Sequence, residues 1–339
     1  MKLIDCTYLN SPGGKKILEI FLDKILIHKP KNLSFIIDNR IDKVLLSKLK
    51  NTHYKLIINS EFKRRIYYKS IKNKIKKCIC LANVPPPIKL ECDVIIYFHN
   101  DLLLKPKLSL SFLKTISFFV KKTYIKMINS KKYRWAVQTN LMKKKLSNKL
   151  HIKNEMISVF PIFRDFIVKK SLKKTPNSFL YVCSSSPHKN LKRLINAFNR
   201  IKNIQSKSMF LHLTISDNEY FKKNIQFRNK NSNLTIINHV NLNESSLNKI
   251  YSNSKYLIYP SVIESFGLPL IESIEFNCRI IASDLDFVKE IVKPSIIFNP
   301  FSVLSISNSI DFALENNDIK ESEIIIKNKI DKFTQLILS

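Results

Sequence analysis

The chain has 339 residues, of which 45% are hydrophobic and 25% are charged, and its formal net charge is +32. This length and hydrophobic content exclude an intrinsically disordered chain and predict two globular domains of about 150 residues each. The six cysteines show no paired C-x-x-C spacing, which excludes a zinc or disulfide framework and indicates buried thiols in a reducing compartment.

The first half of the chain alternates short β-branched runs with longer amphipathic runs, which predicts parallel strands joined by helices. Helices are expected over residues 15–27 and 110–128. The predicted strands lie near residues 3–9, 33–37, 54–58, 77–82, 94–98, 135–138 and 157–160.

The second half repeats this alternation after the lysine-rich residues 163–177, which show no clear period and are the predicted interdomain linker. Helices are expected over residues 191–201 and 245–251. A C-terminal amphipathic helix over residues 321–338 is expected to pack back across the first domain. The predicted strands lie near residues 179–183, 210–215, 234–238, 256–259, 279–282 and 296–298.

We therefore predict an α/β protein with two Rossmann-like domains, each a doubly wound parallel sheet, facing each other across a central cleft. The first domain is predicted over residues 1–165 and the second over residues 173–316, with a C-terminal segment at 317–339. Ligands bind outside the carboxyl ends of the strands in such sheets, so functional residues are expected there.

Glycine is scarce, and its three occurrences mark the predicted ligand loops. Gly13, Gly14 and Gly267 lie where strand-like runs turn into helix-like runs. A chain so poor in glycine keeps it mainly where no Cβ is tolerated. Loops of this kind let backbone N–H groups approach an anion at a helix N-terminus, so both glycine loops predict phosphate binding.

Two glutamates flank the second glycine loop. Glu264 lies in the loop and Glu272 lies eight positions later on the predicted helix, with Pro269 set for the first helical turn. The N–H groups of residues 266–268 are placed to bind a diphosphate, and each carboxylate to accept hydrogen bonds from sugar hydroxyls. The alternative interpretation is a capped surface helix with incidental acids.

These residues resemble the family 4 glycosyltransferases, which have the two-domain GT-B architecture. The E-x7-E motif of that family is present as Glu264 and Glu272. The resemblance is nearly full length and is strongest over residues 179–300. It is carried by residues 179–195, 279–284 and Glu290 in the second half, and by Gly13, Gly14 and residues 97–100 and 137–139 in the first.

The resemblance implies a retaining transfer of a sugar from a nucleotide-sugar donor, with no metal and no cofactor. Glu264 would hold the hydroxyls of the donor sugar, Glu272 the ribose, and Lys189 the leaving diphosphate. The implied catalytic residues are Glu264 and His99, the latter lining the acceptor side. The implied donor-binding residues are Lys189, Arg193, Ser265, Phe266, Gly267, Leu268, Glu272, Gly13 and Gly14.

One position departs from the pattern of the family. The family commonly has a Gly-Arg pair after the strand that precedes its phosphate-binding lysine, whereas this chain has Cys183 and Ser184 there. The diphosphate is therefore expected to rely on Lys189, Arg193 or a serine hydroxyl.

A second short pattern, Asp284-Leu285-Asp286, is similar to the metal-binding D-x-D of the other major glycosyltransferase fold. A three-residue pattern arises easily by chance. Its position after a late strand favours helix capping instead.

Basic residues are concentrated between residues 105 and 174, where nineteen Lys or Arg accompany only Glu155 and Asp165. One interpretation is a composition biased by an AT-rich genome, and the other is attraction to an anionic partner such as a membrane leaflet. The N-terminus lacks the apolar run of a signal peptide, and lysines and a proline interrupt the apolar residues 102–120. We expect a cytoplasmic protein without a transmembrane span, in peripheral contact with the anionic inner leaflet.

The leading functional hypothesis is a glycosyltransferase that builds a bacterial surface glycan, such as lipopolysaccharide, O-antigen or capsule, on a glycan or lipid-linked acceptor. A related enzyme with a soluble acceptor is one alternative. A non-enzymatic, basic nucleic-acid-binding protein is another, but the sequence shows neither interleaved aromatic and basic residues nor a recognised binding motif, so no nucleic acid is expected.

Overall fold

The computed structural model describes residues 1–104, 112–201 and 208–339, and these form two compact α/β units. The first unit contains the described residues up to Asp165 together with Lys327–Ser339, and the second contains the described part of Phe166–Ile326. Residues 110 and 111 of the predicted helix 110–128 lie outside the described residues, and the observed helix is Phe112–Ile128.

Seven parallel strands form the sheet of the first unit, and each coincides with a predicted strand. They are β1 (Lys2–Cys6), β2 (Leu33–Asp38), β3 (His53–Ile57), β4 (Lys77–Cys80), β5 (Asp93–Phe98), β6 (Arg134–Val137) and β7 (Ile157–Val159). Their order is β3-β2-β1-β4-β5-β6-β7. The strand order reverses between β1 and β4, which opens a crevice at the carboxyl ends of these strands.

Helices cover both faces of this sheet, because successive strand residues point to opposite faces. Ile4 of β1 belongs to one apolar core and Leu3 to the core on the other face. The helices are α1 (Pro12–Ile25), α2 (Lys43–Ser47), α3 (Glu61–Ile71), α4 (Phe112–Ile128) and α5 (Asn140–Leu150).

The remaining six predicted strands form the parallel sheet of the second unit. A two-residue antiparallel pair, β13 with β15, lies outside this sheet and was too short to predict. The strands are β8 (Thr175–Tyr181), β9 (Met209–Leu213), β10 (Leu234–Asn238), β11 (Ser254–Tyr259), β12 (Arg279–Ser283), β13 (Val292–Lys293), β14 (Ile296–Phe298) and β15 (Glu323–Ile324). The sheet order is β10-β9-β8-β11-β12-β14, so β8 and β11 are neighbours at the point where the order reverses.

The helices of the second unit alternate with these strands, as predicted. The predicted helix over 191–201 ends at Phe198, where the chain turns. The helices are α6 (Leu191–Phe198), α7 (Asn218–Phe221), α8 (Glu244–Asn253), α9 (Leu268–Glu275), α10 (Asp286–Lys289) and α11 (Val303–Glu315).

The C-terminal helix, α12 (Ile330–Leu338), begins nine residues later than predicted. The Ser322 hydroxyl accepts the Ile280 amide over 2.8 Å, and the Ile325 amide donates to the Ile291 carbonyl over 2.9 Å. These bonds hold residues 317–326 with the second unit, although the predicted C-terminal segment began at 317. The prediction of a helix from 321 was therefore wrong in its first half, because these amides are used outside a helix.

The buried ring of Phe333 attaches α12 to the first unit. Its centroid lies 6.2 Å from that of Phe21 on α1, 5.1 Å from that of Tyr97 on β5 and 5.3 Å from that of Phe160. Phe333 is fully buried in the core that also contains Ile4. Packing of aromatic side chains thus makes the last helix part of the first unit.

Replacing Phe333 by alanine should lower the free energy of unfolding of the first unit by about 3–5 kcal/mol, because it leaves a cavity in this core. Urea denaturation followed by the fluorescence of Trp135, the single tryptophan and fully buried in the same unit, measures this. The matched control is Phe62→Ala on α3, where the ring is 73% exposed. A loss as large in the control as in Phe333→Ala would contradict the packing argument.

Candidate active site

Two loops of the second unit meet at the carboxyl edge of its sheet. One follows β8 over residues 182–190, and the other follows β11 over residues 260–267. The Val262 N–H donates to the His188 carbonyl oxygen over 2.9 Å. Because β8 and β11 are paired in the sheet, loops that are distant in sequence lie side by side.

A buried asparagine ties these loops together. Asn190 is 5% exposed and has a left-handed φ of 59°, a conformation that asparagine tolerates better than most residues. Its Nδ2 donates to the carbonyl oxygens of Pro260 (3.2 Å) and Pro300 (2.7 Å). Its Oδ1 accepts from Nη1 of Arg193, whose guanidinium lies 5.9 Å from the Phe301 ring centroid. The predicted donor residue Arg193 is therefore held beside the first loop.

The ion pair between Lys189 and Glu264 joins the two loops. Lys189 Nζ lies 2.6 Å from Glu264 Oε1, and the two side chains are 14% and 13% exposed. Burial opposes ionisation of Glu264, but Lys189, a hydrogen bond from Ser261 and the nearby His188 lower the pKa of its carboxyl below the usual value. The site therefore holds a charged carboxylate and a charged ammonium in contact, with little surrounding water.

Two fully buried hydroxyl groups, of Tyr181 and Ser261, hold the backbone next to this ion pair. The Tyr181 hydroxyl donates to the Lys189 carbonyl oxygen over 2.9 Å and lies 2.7 Å from the Ser261 hydroxyl. Tyr181 and Ser261 are both fully buried, so these bonds fix the backbone that carries the two charged side chains.

Gly267 ends the second loop in a conformation that requires glycine. Its φ is +84°, and a Cβ at this position would lie 3.3 Å from the Tyr259 hydroxyl and 3.2 Å from Leu270 Cδ1. Both the left-handed backbone and the limited space make a side chain unfavourable at this position. The prediction that glycine is kept where a Cβ is poorly tolerated therefore holds at this position.

Helix α9 begins directly after this glycine, so its N-terminus faces the same loop as Glu264. Gly267 is the N-cap and has no side chain with which to cap the first-turn amides, including that of Leu268. Ser265 and Phe266, the latter 4% exposed, precede it in the loop. One turn into α9, Glu272 Oε2 accepts from the buried Tyr251 hydroxyl over 3.0 Å. The predicted donor residues 264–268 and Glu272 thus belong to one loop and its helix.

The position where the resembled family commonly has a Gly-Arg pair carries no charged side chain. The Cys183 amide donates to Thr214 Oγ1 over 2.9 Å, and burial raises the pKa of its thiol to about 12. The exposed Ser184 donates to Ser186 Oγ over 3.1 Å. A neutral thiol and two hydroxyls therefore replace the guanidinium, which leaves Lys189 and Arg193 as the basic residues at this loop.

Gly13 and Gly14 belong to the first unit and lie inside the first turn of α1, rather than in the predicted loop before it. Ser11 is the N-cap, and its Oγ accepts from the Gly14 amide over 3.2 Å. A Cβ on Gly14 would lie 3.1 Å from Ser11 Oγ, whereas one on Gly13 would meet no atom within 4 Å. The prediction that glycine is kept where no Cβ is tolerated was therefore wrong for Gly13. The helix starts early because Pro12 is suited to its first position.

His99 follows β5 at the carboxyl edge of the first unit. Its backbone N–H donates to Asn83 Oδ1 over 2.6 Å, and its Nε2 lies 3.3 Å from Asn83 Nδ2. Burial lowers the pKa of His99 to about 4, so the imidazole is neutral near pH 7. A neutral ring at this edge can exchange hydrogen bonds with a ligand hydroxyl but supplies no charge.

Sequence analysis missed a buried charged cluster at the same edge of the first unit. Asp5 of β1 is 1% exposed and its Oδ2 accepts from Arg64 Nε (2.8 Å) and from the Tyr68 hydroxyl (2.7 Å). Its Oδ1 accepts from the Thr7 amide and hydroxyl. An aspartate inside an otherwise apolar strand was the available signal, because a buried carboxylate needs a partner.

The cluster continues through Glu61 at the start of α3. Glu61 Oε1 accepts from Arg64 Nη1 (2.9 Å) and from the Tyr124 hydroxyl (2.6 Å), and Oε2 accepts from the Tyr8 hydroxyl. Tyr8 has a φ of 78°, which is rare for an aromatic residue, and its amide donates to Asp38 Oδ2 over 3.2 Å. Bonds at both ends of Tyr8 thus hold a strained backbone beside the N-terminus of α1.

The D-x-D pattern does not form a capping aspartate. Asp284 pairs with Lys289, and Asp286 is the first residue of α10, whose N-cap is Leu285 without a side-chain cap. The expected capping was therefore wrong, although Asp286 lies where an acid favours a helix dipole. In the part of the chain that the structure describes, no group of three His, Cys, Asp or Glu side chains could hold a metal ion.

Comparison with known proteins identifies the family. The sequence model of the glycosyl transferases group 1 matches residues 163–332, about half of the chain and nearly all of the second unit. The chain belongs to this family. A stretch of 143 residues is 32% identical to the O-antigen chain mannosyltransferase RfbU of Salmonella typhimurium. That match covers 40% of this chain and 37% of RfbU, so it spans little more than a third of that relative.

Solved structures share the fold of this group 1 glycosyltransferase over nearly the whole chain and confirm the predicted GT-B architecture. A glycosyltransferase from Rickettsia africae has a TM-score of 0.66 at 14% identity, covering 99% of this chain and 92% of that one. The lipopolysaccharide outer core galactosyltransferase WaaB, in its apo form, has a TM-score of 0.64 at 15% identity, and the match covers 99% of this chain and 94% of WaaB. HepE of Anabaena, in complex with UDP and glucose, has a TM-score of 0.65 at 12% identity, and the match covers 100% of this chain and 95% of HepE.

Within residues 1–104, 112–201 and 208–339, no helix is long and apolar enough to cross a membrane.

Gly267→Ala should lower the free energy of unfolding by about 1–2 kcal/mol, because alanine is strained at φ +84° and its Cβ crowds Tyr259 and Leu270. Thermal or urea denaturation followed by circular dichroism measures this. Gly13→Ala is the matched control: its Cβ enters open space in a helical turn, so stability should be unchanged or rise by up to about 1 kcal/mol. Equal effects of the two substitutions would refute the argument.

The stabilisation from the Lys189–Glu264 pair should depend on pH. At about pH 7, Glu264→Gln leaves the largely buried ammonium without its partner and should cost about 1–3 kcal/mol of unfolding free energy. The folded pKa of Glu264 is below its ordinary value of 4.5, so this contribution is complete above that value and is lost as pH falls through the folded pKa.

Denaturation of the wild type and of Glu264→Gln at about pH 7 and about pH 3 tests this prediction. The difference between their free energies of unfolding should be smaller at the lower pH. Glu275→Gln is the control, because Glu275 at the end of the following helix α9 forms a more exposed pair with Lys169 at 2.8 Å. A difference that stays constant with pH would show that the pair does not titrate as described.

Proposed function

We propose that this group 1 glycosyltransferase transfers a sugar, with retention of anomeric configuration, from a nucleotide-sugar donor bound to its second unit. The observation that carries the proposal is the contact between Lys189 and Glu264 across the β8 and β11 loops. It combines a cation suited to a diphosphate and an anion suited to sugar hydroxyls within one partly enclosed site. The resemblance at these positions and the family match support the same assignment.

The diphosphate of the donor would bind at Lys189 and at the N-terminus of α9. An ammonium group has three donors, so Lys189 can bind a phosphate oxygen while it keeps its bond to Glu264. Helix α9 begins at this loop and adds the positive end of its dipole. Arg193, held by Asn190, supplies further positive charge. Glu272 would bind the ribose hydroxyls.

The chemical step breaks the bond between the anomeric carbon and the diphosphate oxygen and forms a bond from an acceptor hydroxyl on the same face. Attack on that face places the acceptor hydroxyl beside the departing diphosphate oxygen. The proton of the hydroxyl is transferred to that oxygen. Glu264 holds the sugar hydroxyls near the reacting carbon and stabilises its developing positive charge, while Lys189 stabilises the departing diphosphate. His99, neutral near pH 7, would orient the acceptor.

The charges on the departing group are met by this chain's own residues, so we propose that the reaction needs neither a metal ion nor a cofactor. Lys189, Arg193 and the N-terminal end of α9 would provide positive charge where a divalent cation would otherwise be required.

The proposed acceptor is a glycan or a lipid-linked glycan of a bacterial surface polysaccharide, such as lipopolysaccharide, O-antigen or capsule. Two similar proteins support this choice, since RfbU is an O-antigen chain mannosyltransferase and WaaB is a lipopolysaccharide outer core galactosyltransferase. The site of action would be the cytoplasmic face of the inner membrane, in peripheral contact with its anionic leaflet.

Lys189→Met should lower kcat/KM for sugar transfer by about 10²–10³-fold, because the departing diphosphate loses its main side-chain cation. A thermal-shift panel of UDP-, GDP- and ADP-sugars first identifies a donor that stabilises the wild type. Release of the nucleoside diphosphate from that donor, with and without extracted membrane glycolipid, then measures activity.

Lys192→Met is the matched control, since Lys192 lies three residues later, exposed on α6, and should change activity by no more than about twofold. Addition of EDTA should leave the wild-type rate unchanged. Undiminished transfer by Lys189→Met, or loss of activity in EDTA that added Mg²⁺ restores, would refute the proposed charge stabilisation.

A further inference from the structure

The imidazole of His99 contacts the side chain of Asn83, which lies in the loop after β4. Asn83 is 8% exposed and has a left-handed φ of 69°, a conformation that asparagine tolerates better than most residues. Its backbone N–H donates to the carbonyl oxygen of Tyr97 on β5 over 3.2 Å. This bond keeps the loop beside the strand that His99 follows, so the side chain of Asn83 lies next to His99.

The orientation of the Asn83 amide group follows from its contact with the backbone of His99. A backbone N–H can only donate, so the atom that lies 2.6 Å from the His99 nitrogen is the amide oxygen, Oδ1. The amide nitrogen, Nδ2, then lies 3.3 Å from Nε2 of the imidazole. One backbone donor thus decides which way the whole amide group points.

The tautomer of the imidazole follows in turn. The Nδ2 group of Asn83 donates hydrogen bonds and accepts none, so Nε2 of His99 is the acceptor in this contact. The single proton of the neutral ring is then on Nδ1. This proton also accounts for a hydrogen bond to the backbone of Leu81, which raises the pKa of His99 against the larger, opposite effect of burial.

The same contact opposes a second proton on the ring. An imidazolium carries a proton on both nitrogens, so its Nε2–H would face the N–H groups of Asn83, donor against donor. Rotating the amide by half a turn does not relieve this, because its nitrogen would then face the backbone N–H of His99. Asn83 therefore acts in the same direction as burial, which lowers the pKa of His99 to about 4.

The buried charged cluster of the first unit holds the loop that carries Asn83. Nη2 of Arg64 donates to the carbonyl oxygens of Val84 (3.4 Å) and Pro85 (2.9 Å), while Nε of the same guanidinium donates to Asp5. Arg64 is fully buried, so these bonds to a charged donor are shielded from water. The residues that follow Asn83 cannot move away from β5 without breaking them.

We propose that Asn83 is a positioning residue for His99, which fixes the imidazole in its Nδ1–H tautomer and in one orientation at the carboxyl edge of the first unit. The inference rests on the proposed function, in which His99 lines the acceptor side. A single tautomer presents the acceptor with one fixed arrangement of donor and acceptor atoms. A ring kept uncharged in this way also does not oppose the positive charge that develops on the transferred sugar.

Nitrogen-15 NMR of the full chain near pH 7 tests the tautomer directly. In the wild type, Nε2 of His99 should resonate as an unprotonated nitrogen and Nδ1 as a protonated one. The chain has seven histidines, and the signals that disappear in His99→Gln are those of His99. Asn83→Asp keeps the shape of the side chain and the tolerance of a left-handed φ, but replaces the donor Nδ2 by an acceptor oxygen. Nε2 of His99 should therefore become protonated in this variant.

Asn100→Asp is the matched control for the spectrum. It introduces the same charge at the residue next to His99, while Oδ1 of residue 100, which accepts from the Leu102 amide over 3.1 Å, stays an acceptor. The His99 signals should keep the wild-type tautomer in this control. A loss of the Nδ1–H tautomer equal to that in Asn83→Asp would overturn the proposal, because charge rather than the amide contact would then set the tautomer.

Asn83→Gly is a second variant, which accepts a φ of 69° and removes the amide group without adding charge. Here too Nε2 should become protonated in a substantial fraction of molecules, because nothing donates to it from residue 83. A protonated Nε2 in the wild type would overturn the proposal. An Nδ1–H tautomer that persists in both Asn83 variants would overturn it as well, because the Leu81 backbone would then set the tautomer by itself.

Kinetics separate positioning from donor binding. Asn83→Asp should lower kcat for sugar transfer about tenfold, while KM for the donor and the thermal stabilisation by the donor stay within about twofold of the wild type. Absence of transfer by the wild type, with the NMR result as expected, would refute the proposed function and confirm the arrangement of Asn83 and His99. Transfer by the wild type that Asn83→Asp leaves unchanged would refute the positioning role instead.

Discussion

The direction of parallel strands is the constraint on which the rest of this structure depends. Because every strand of a parallel sheet ends at the same edge, the loops after β8 and β11 lie together there. This brings Lys189 within 2.6 Å of Glu264 although 75 residues separate them. The same constraint places His99, Asp5 and the N-terminus of α1 at one edge of the first unit. The named polar groups of each unit thus lie at one edge of its sheet.

Burying charged groups at these edges costs free energy, and stability alone does not account for their presence. Replacing a buried ion pair by apolar residues is often neutral or stabilising, so the Lys189–Glu264 and Asp5–Arg64 pairs are weak evidence for stability. Both pairs are instead fixed by further bonds, from Tyr181 to the Lys189 carbonyl and from Tyr68 to Asp5. Such bonds hold charged groups in place before a ligand arrives, which is how electrostatic stabilisation becomes effective.

The two proposed roles of the positive charge depend on different surroundings. Lys189 is 14% exposed and acts over a short distance in a site with little water, where a single charge has a large effect. The exposed lysines on the surface of the first unit each contribute little, so only their number and common sign matter. The large net charge of the chain is therefore compatible with one specific phosphate site and one diffuse attraction to an anionic surface.

The sequence by itself determined the two parallel sheets and the position of the Glu264, Gly267 and Glu272 loop, because strand periodicity and turn residues are local properties of the chain. It could not determine the Lys189–Glu264 contact or the Asp5–Arg64 pair, which depend on strand order. Only the tertiary structure decided that α12 begins at Ile330, since long-range bonds use the preceding amides. Residues 112–128 are apolar on several sides, so only packing decided which side became buried and which faces solvent.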